Sequence, residues 1–121
     1  MSKRTLVLGA SPNPERYAFK ATGMLTEHNH PVFPVGLRAG KIEGLAILTD
    51  TPPIENIDTV TLYVGPKNQP VYYDYILNVI VPKRIIFNPG TENDVLVKKA
   101  QKKGILTEEA CTLVLLSIGN Y

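Results

Sequence analysis

The stretch Arg4-Thr5-Leu6-Val7-Leu8-Gly9-Ala10-Ser11-Pro12-Asn13-Pro14-Glu15-Arg16-Tyr17 decides the fold of this chain. Its apolar run, Thr5 to Leu8, is continuous rather than alternating, as in a strand buried on both faces of a parallel sheet. The run stops at a glycine turn. Ala18, Ala21, Thr22, Leu25 and His28 then recur at helical spacing. Strand, turn and helix in direct succession aim free backbone N–H groups and the positive end of a helix dipole at one spot, which suits a phosphate. A plain strand–helix turn with Ser11 or Asn13 as N-cap also satisfies these residues. The turn lacks the G-x-G-x-x-G dinucleotide fingerprint.

The rest of the chain repeats the alternation. His30-Pro31 stops the first helix, and Val32-Phe33-Pro34-Val35 reads as a second strand. The polar loop Gly36 to Lys41 leads into Ile42 to Leu48, and Pro52-Pro53 marks a turn. A central strand is expected over Asp58 to Val64, a helix from about Asn68 to Ile80, and a strand over Arg84 to Phe87, closed by Asn88-Pro89-Gly90. In the next helix Thr91 and Asp94 approximate a capping box, four lysines load the end, and Gly104 is the C-cap. A short strand, Ile105 to Thr107, precedes a last apolar segment, Leu113 to Ile118, which the pattern leaves open between helix and strand with helix slightly favoured. Gly23 lowers helix propensity and is expected to let the first helix sit close on the sheet. Such alternation means βαβ units. The expected architecture is a single α/β domain over residues 1–121, three-layered and Rossmann-like, with a mostly parallel five-stranded sheet. Ligands of such folds bind at the carboxyl ends of the strands.

Composition bounds the function. The 121 residues are 44% hydrophobic and 20% charged, which is ordinary for a globular chain. A net charge of +2 does not point to nucleic acid. No apolar stretch approaches the roughly 20 residues of a membrane span. The start Met-Ser-Lys-Arg does not read as a signal peptide, and one cysteine permits no internal disulfide, so the cytoplasm is the expected compartment. No His/Cys cluster has metal spacing.

The candidate site residues lie on the turns after the strands. Ser11 offers a hydroxyl, and Arg16 and Lys20 bring charge near the first helix. After the second strand, NAD-binding folds carry an acidic residue for the ribose hydroxyls. Here the loop carries Arg38 and Lys41, which suit a phosphorylated ribose, as in coenzyme A or NADP, or are two solvated charges. Gly65-Pro66 can wall a flat ligand or form a simple turn, and Asn88-Pro89-Gly90 admits the same two readings. The lone Cys111 reads as a small hydrophobe rather than a nucleophile, since His28 and His30 belong to the far end of the first helix. Glu92/Asp94 and Glu108-Glu109 read as helix-end charges rather than acid–base pairs. Tyr72, Tyr73 and Tyr75 cannot all face inward on one helix, which makes that helix a candidate partner surface.

On these residues the chain resembles a stand-alone CoA-binding domain, similar to the N-terminal domain of the succinyl-CoA synthetase α-subunit. The resemblance is carried by Val7-Leu8-Gly9-Ala10-Ser11-Pro12-Asn13-Pro14-Glu15-Arg16, by Val32 to Val35 with Lys41-Ile42-Glu43-Gly44, and by Ala110-Cys111-Thr112. It implies a pyrophosphate on Gly9, Ala10, Ser11 and Pro12 at a helix starting near Pro14, with Arg16 close by. It implies Arg38 or Lys41 at the 3′-phosphate or the adenosine end, Val64-Gly65-Pro66 along adenine and ribose, and Asn88-Pro89-Gly90 along the pantetheine. Where the family often has an aromatic–x–Gln stretch, this chain reads Ile86-Phe87-Asn88-Pro89. The synthetase's phosphohistidine lies in a second domain with no counterpart here. The leading expectation is therefore non-catalytic binding of coenzyme A or an acyl-CoA, as a sensor or accessory subunit, with a protein partner or homo-oligomer left open. The alternatives are an NADP-binding oxidoreductase or redox sensor, and a protein-interaction module with a vestigial nucleotide pocket.

Overall fold

The computed structural model describes residues 2–121. Strand β1 (Thr5–Leu8) runs through the first turn into α1 (Tyr17–Glu27) and back to β2 (Val32–Val35). A small antiparallel hairpin, β3 (Lys41–Ile42) and β4 (Leu45–Ala46), follows. The chain then crosses to β5 (Thr59–Leu62), β6 (Arg84–Phe87), α2 (Asp94–Lys102), β7 (Leu106–Glu109) and α3 (Thr112–Ser117). The five long strands pair in the order β2-β1-β5-β6-β7, all parallel. This is the expected three-layer α/β architecture. Leu48 adds one parallel bridge outside β2: its N–H donates to Pro34 O, and its carbonyl accepts from Gly36 N. A sixth strand is thus reduced to a single residue at that edge.

Both faces of the sheet are covered, which is why β1 and β5 are fully buried and read as unbroken runs. Leu6, Leu8, Val60, Leu62, Ile85 and Phe87 pack against the segment between β5 and β6 and against α2. Val7 and Val32 pack with Ala18 and Leu25 of α1 and Leu116 of α3. No helix is long and apolar enough to cross a membrane among the described residues.

The sequence expectation fails between Pro66 and Val81. Instead of one α-helix there are two 3₁₀ turns, Pro66–Asn68 and Pro70–Tyr72, and a π-helical stretch, Tyr75–Ile80. The two prolines lack an N–H and so interrupt the α ladder. The wider π turn places Tyr75, Ile76, Leu77 and Ile80 against the sheet, and Val81 closes it in the left-handed region. Tyr75 is consequently buried and donates to Pro52 O at 2.7 Å, its hydroxyl pushed up to about 12 by burial. Tyr72 and Tyr73 are half-buried, so of the three tyrosines two keep part of their surface and none is fully exposed. Gly23 also departs from its expected role. A Cβ there would meet the Glu43 carboxylate of the hairpin at 3.0 Å, not the sheet.

At the amino ends of the strands His30 Nδ1 accepts from the Lys3 N–H at 2.9 Å, and its ring meets Tyr121 edge-on. Burial, then the charges of His28 and Lys3, hold the His30 pKa below 6.5. At pH values between the folded value and 6.5 the unfolded chain therefore binds the extra proton. Stability from this group is complete above about 6.5 and falls as pH drops below it. His30→Asn keeps an acceptor for Lys3 and should flatten that part of the pH dependence, measured as urea midpoints across the acid range. Two glycine substitutions should separate in sign. A Cβ on Gly36 would lie 2.1 Å from Ala10 O, so Gly36→Ala should cost on the order of 3 kcal/mol. Gly23→Ala need only displace the end of Glu43 and should be stabilising by about 0.5–1 kcal/mol in the same titration.

Candidate ligand cleft

The chain leaves β1 toward β2 on one side and returns to β5 on the other. The two loops diverge there, and a cleft opens over the carboxyl end of β1. Its volume is about 760 Å³. Its floor is the first turn. Gly9 and Ala10 both donate N–H groups to Val35 O at 2.9 Å, and Gly9 has φ +97°. A side chain on Gly9 would meet the Tyr63 backbone at 3.0 Å, so only glycine lets β1 pass this close to β5.

Beyond Ala10 the loop is shaped by its own polar side chains. Ser11 Oγ accepts from Asn13 N, and Asn13 Oδ1 accepts from Glu15 N. Neither caps α1, which starts at Tyr17 rather than near Pro14. Arg16 is the N-cap residue and makes no side-chain cap bond. The first N–H groups of α1 thus have no partner within the helix and no capping side chain, at the edge of the cleft. Arg16, Arg38 and Lys67 line the cleft, and no carboxylate does. None of the three cations is in an ion pair among the described residues, where Arg84–Glu108 is the one salt bridge. Around the mouth stand three unusually exposed apolar side chains: Leu37 at 86%, Val71 at 80% and Tyr17 at 68%.

The chain matches the CoA binding domain family over residues 3–117. The chain belongs to that family. A crystal structure of an uncharacterised protein is 47% identical, with TM-score 0.97, covering 100% of this chain and 99% of its own. A hypothetical protein from Pyrococcus horikoshii OT3 is 29% identical, with TM-score 0.82 and coverage of 93% and 80%. A Thermus thermophilus protein at 18% identity and TM-score 0.83 shares the fold, covering 98% of this chain and 91% of its own. No curated protein matches the chain.

In this CoA-binding domain the structure brings ten of the thirteen candidate residues to one cleft: Gly9, Ala10, Ser11, Pro12, Arg16, Arg38, Val64, Gly65, Pro89 and Gly90. Lys41 instead sits on β3, paired with Ala46 and outside the lining; Pro66 opens a 3₁₀ turn with its ring off the cleft surface. Asn88 is 1% exposed and turned inward. Its Nδ2 donates to Thr61 Oγ1 at 2.7 Å and Leu62 O at 2.9 Å, and its Oδ1 accepts from Thr112 N at 2.9 Å. It clamps β5, β6 and α3 together rather than facing a ligand. Sequence reading missed Tyr17, Leu37, Lys67, Val71, Tyr72 and Thr91, which also line the cleft. Of these only Lys67, one residue past Gly65-Pro66, carried a signal in charge and position.

A second clamp joins the β5 and β6 loops. Gln69, fully buried, donates from Nε2 to Val64 O and Thr91 O. Its Oε1 accepts from Asn93 Nδ2, which also donates to Tyr73 OH. Asn93, not Thr91, is the N-cap of α2, accepting from Val95 N; the Thr91 hydroxyl donates to Asn88 O. The N-cap is therefore two residues later than expected, and with Leu96 at the third helical position no capping box forms. Tyr63 lines the inner wall, and burial, helped by the neighbouring Cys111, raises its hydroxyl well above the ordinary phenol range. Cys111 is half-buried and outside the lining; His28 and His30 are at the opposite, amino edge of the sheet.

Asn88→Ala would leave Thr112 N–H and Leu62 O without their buried side-chain partner and Thr61 with Thr112 alone. It should cost about 3 kcal/mol in urea unfolding with an unchanged m-value.

Proposed function

We propose that the protein binds coenzyme A or an acyl-CoA in this cleft and does not transform it. The observation that carries the reading is the gathering of three unpaired cations and an uncapped helix N-terminus at the topological switch point, with no carboxylate facing them. Family membership supports the choice of ligand. In this reading Gly9 to Pro12, Arg16 and the α1 N–H groups hold the pyrophosphate. Arg38 meets the phosphate on the ribose, and Val64-Gly65 with Leu37 flank the nucleoside. Pro89-Gly90 border the pantetheine. No acidic residue stands where a ribose diol would be read, which supports a phosphorylated ribose over NAD. The sole thiol, Cys111, lies outside the lining, so the reading assigns it no acyl-transfer role.

Calorimetry with CoA tests the reading, and absence of binding to folded protein at millimolar ligand would reject it. A charge-assisted hydrogen bond contributes about 1.5–3 kcal/mol. Arg38→Ala should therefore weaken CoA by roughly 10- to 150-fold and leave dephospho-CoA almost unaffected. Acetyl-CoA incubated with the protein should be recovered intact by chromatography.

A further inference from the structure

The two ends of the cleft differ in what they leave unpaired. On the β6 side nearly every donor is already used. Pro89 has no N–H. Gly90 N–H donates to Glu92 Oε1 at 2.9 Å, and Thr91 N–H donates to Asn88 O at 2.9 Å. The Thr91 hydroxyl donates to Asn88 O, and the side-chain amides of Asn88 and Gln69 are engaged in the two clamps. On the next loop Ala110 N–H donates to Phe87 O and Thr112 N–H to Asn88 Oδ1. An arm built of amides and a thioester meets here a surface with no free N–H or hydroxyl from residues 89–91. The β1, β2 and β5 side is the reverse. Arg16, Arg38 and Lys67 all carry free charge, and the first turn of α1 keeps its N–H groups.

We infer that the cleft reads the bisphosphorylated adenosine half of its ligand and leaves the arm beyond it unread. Its ligand class is then adenosine 3′,5′-bisphosphate and the molecules extended from its 5′-phosphate, with CoA and its thioesters as members that it does not tell apart. The inference rests on the reading that this cleft is the nucleotide site. Lys67 is its third cation and acts on the nucleotide half. The ligand carries phosphate groups at two separate positions, the 5′ chain and the ribose, and cations on three separate loops suit that distribution better than they suit one phosphate.

Calorimetry of the intact protein with five probes tests this: CoA, acetyl-CoA, adenosine 3′,5′-bisphosphate, dephospho-CoA and 4′-phosphopantetheine. The expected result is that bisphosphate, CoA and acetyl-CoA bind within about tenfold of one another. Dephospho-CoA and phosphopantetheine should be weaker by more than that. Lys67→Ala, an exposed substitution, should weaken CoA and the bisphosphate by the same factor. A bisphosphate more than about tenfold weaker than CoA would overturn the inference while leaving CoA binding intact. So would tight phosphopantetheine binding, or a Lys67→Ala loss confined to CoA. Bisphosphate binding without CoA binding would overturn both the inference and the CoA reading, because the cleft would then be rejecting the arm.

Discussion

The approach of two backbones at Gly36 organises the rest of the molecule. The Gly36 Cα is so near Ala10 O that no side chain can stand between them, and one residue earlier Val35 O accepts from both Gly9 and Ala10. The end of β2 is thereby locked onto the turn that ends β1. This fixes where the chain may go next. The loop after β2 must leave on one side, with Gly40 fitting against Pro12. The return to β5 must occur on the other side of β1. The crevice between them is a consequence of that divergence, and every polar group at its floor is positioned by the same contacts. Arg38 reaches the cleft because it is two residues past the lock. Lys41, five residues past it, has already entered the hairpin.

This explains what could be read beforehand. Strands buried on both faces announce themselves as unbroken apolar runs, and Thr5–Leu8, Val32–Val35 and Arg84–Phe87 have the bounds that the pattern gives. The threonines inside β5 did not disturb the reading, although each needs a partner: Thr59 finds Asp58 and Arg84, and Thr61 finds Thr112 and Asn88. The segment 66–81 defeated periodicity because helical spacing assumes 3.6 residues per turn. Two prolines and a π turn gave it tighter turns first and a wider one afterwards. In the stretch 91–94 pattern alone does not choose the N-cap, because Thr91, Asn93 and Asp94 are all competent near a helix start. Only the demand of Gln69 for an acceptor's partner, from across the cleft, selects Asn93.

The candidate cleft was legible for the same reason as the strands, and illegible where side chains turn inward. Turn residues after a parallel strand must surround the carboxyl edge, so most of the residues picked there do line it. Sequence does not say whether a polar residue in such a turn faces outward or braces the turn. Asn88 braces, and with Thr112 and Thr61 it forms a network with no spare capacity. Leu37, Val71 and Tyr17 are the converse, apolar residues that are not buried. Hydropathy places such residues inside by default, so a rim of this kind becomes visible only when three loops are brought together.

The magnitudes decide which part of the cleft can supply affinity. Arg16, Arg38 and Lys67 are exposed and unpaired, so each must give up about 1.5–2 kcal/mol of rotamer freedom to hold a phosphate. A charge-assisted hydrogen bond returns about 1.5–3 kcal/mol. That figure is already net of the ordering cost, so each cation adds affinity, and because each would meet a phosphate the three together set which anion is chosen. The backbone donors carry no such cost. The first turn is held by Val35 O, by Ser11 and by Asn13 before any ligand arrives, and α1 is fixed behind it by Ala18 and Leu25 in the core. Preorganised N–H groups at a helix start lose little entropy on binding. The turn that Gly36 locks then supplies affinity at little entropic cost, and the choice among anions resides in the three exposed charges above it.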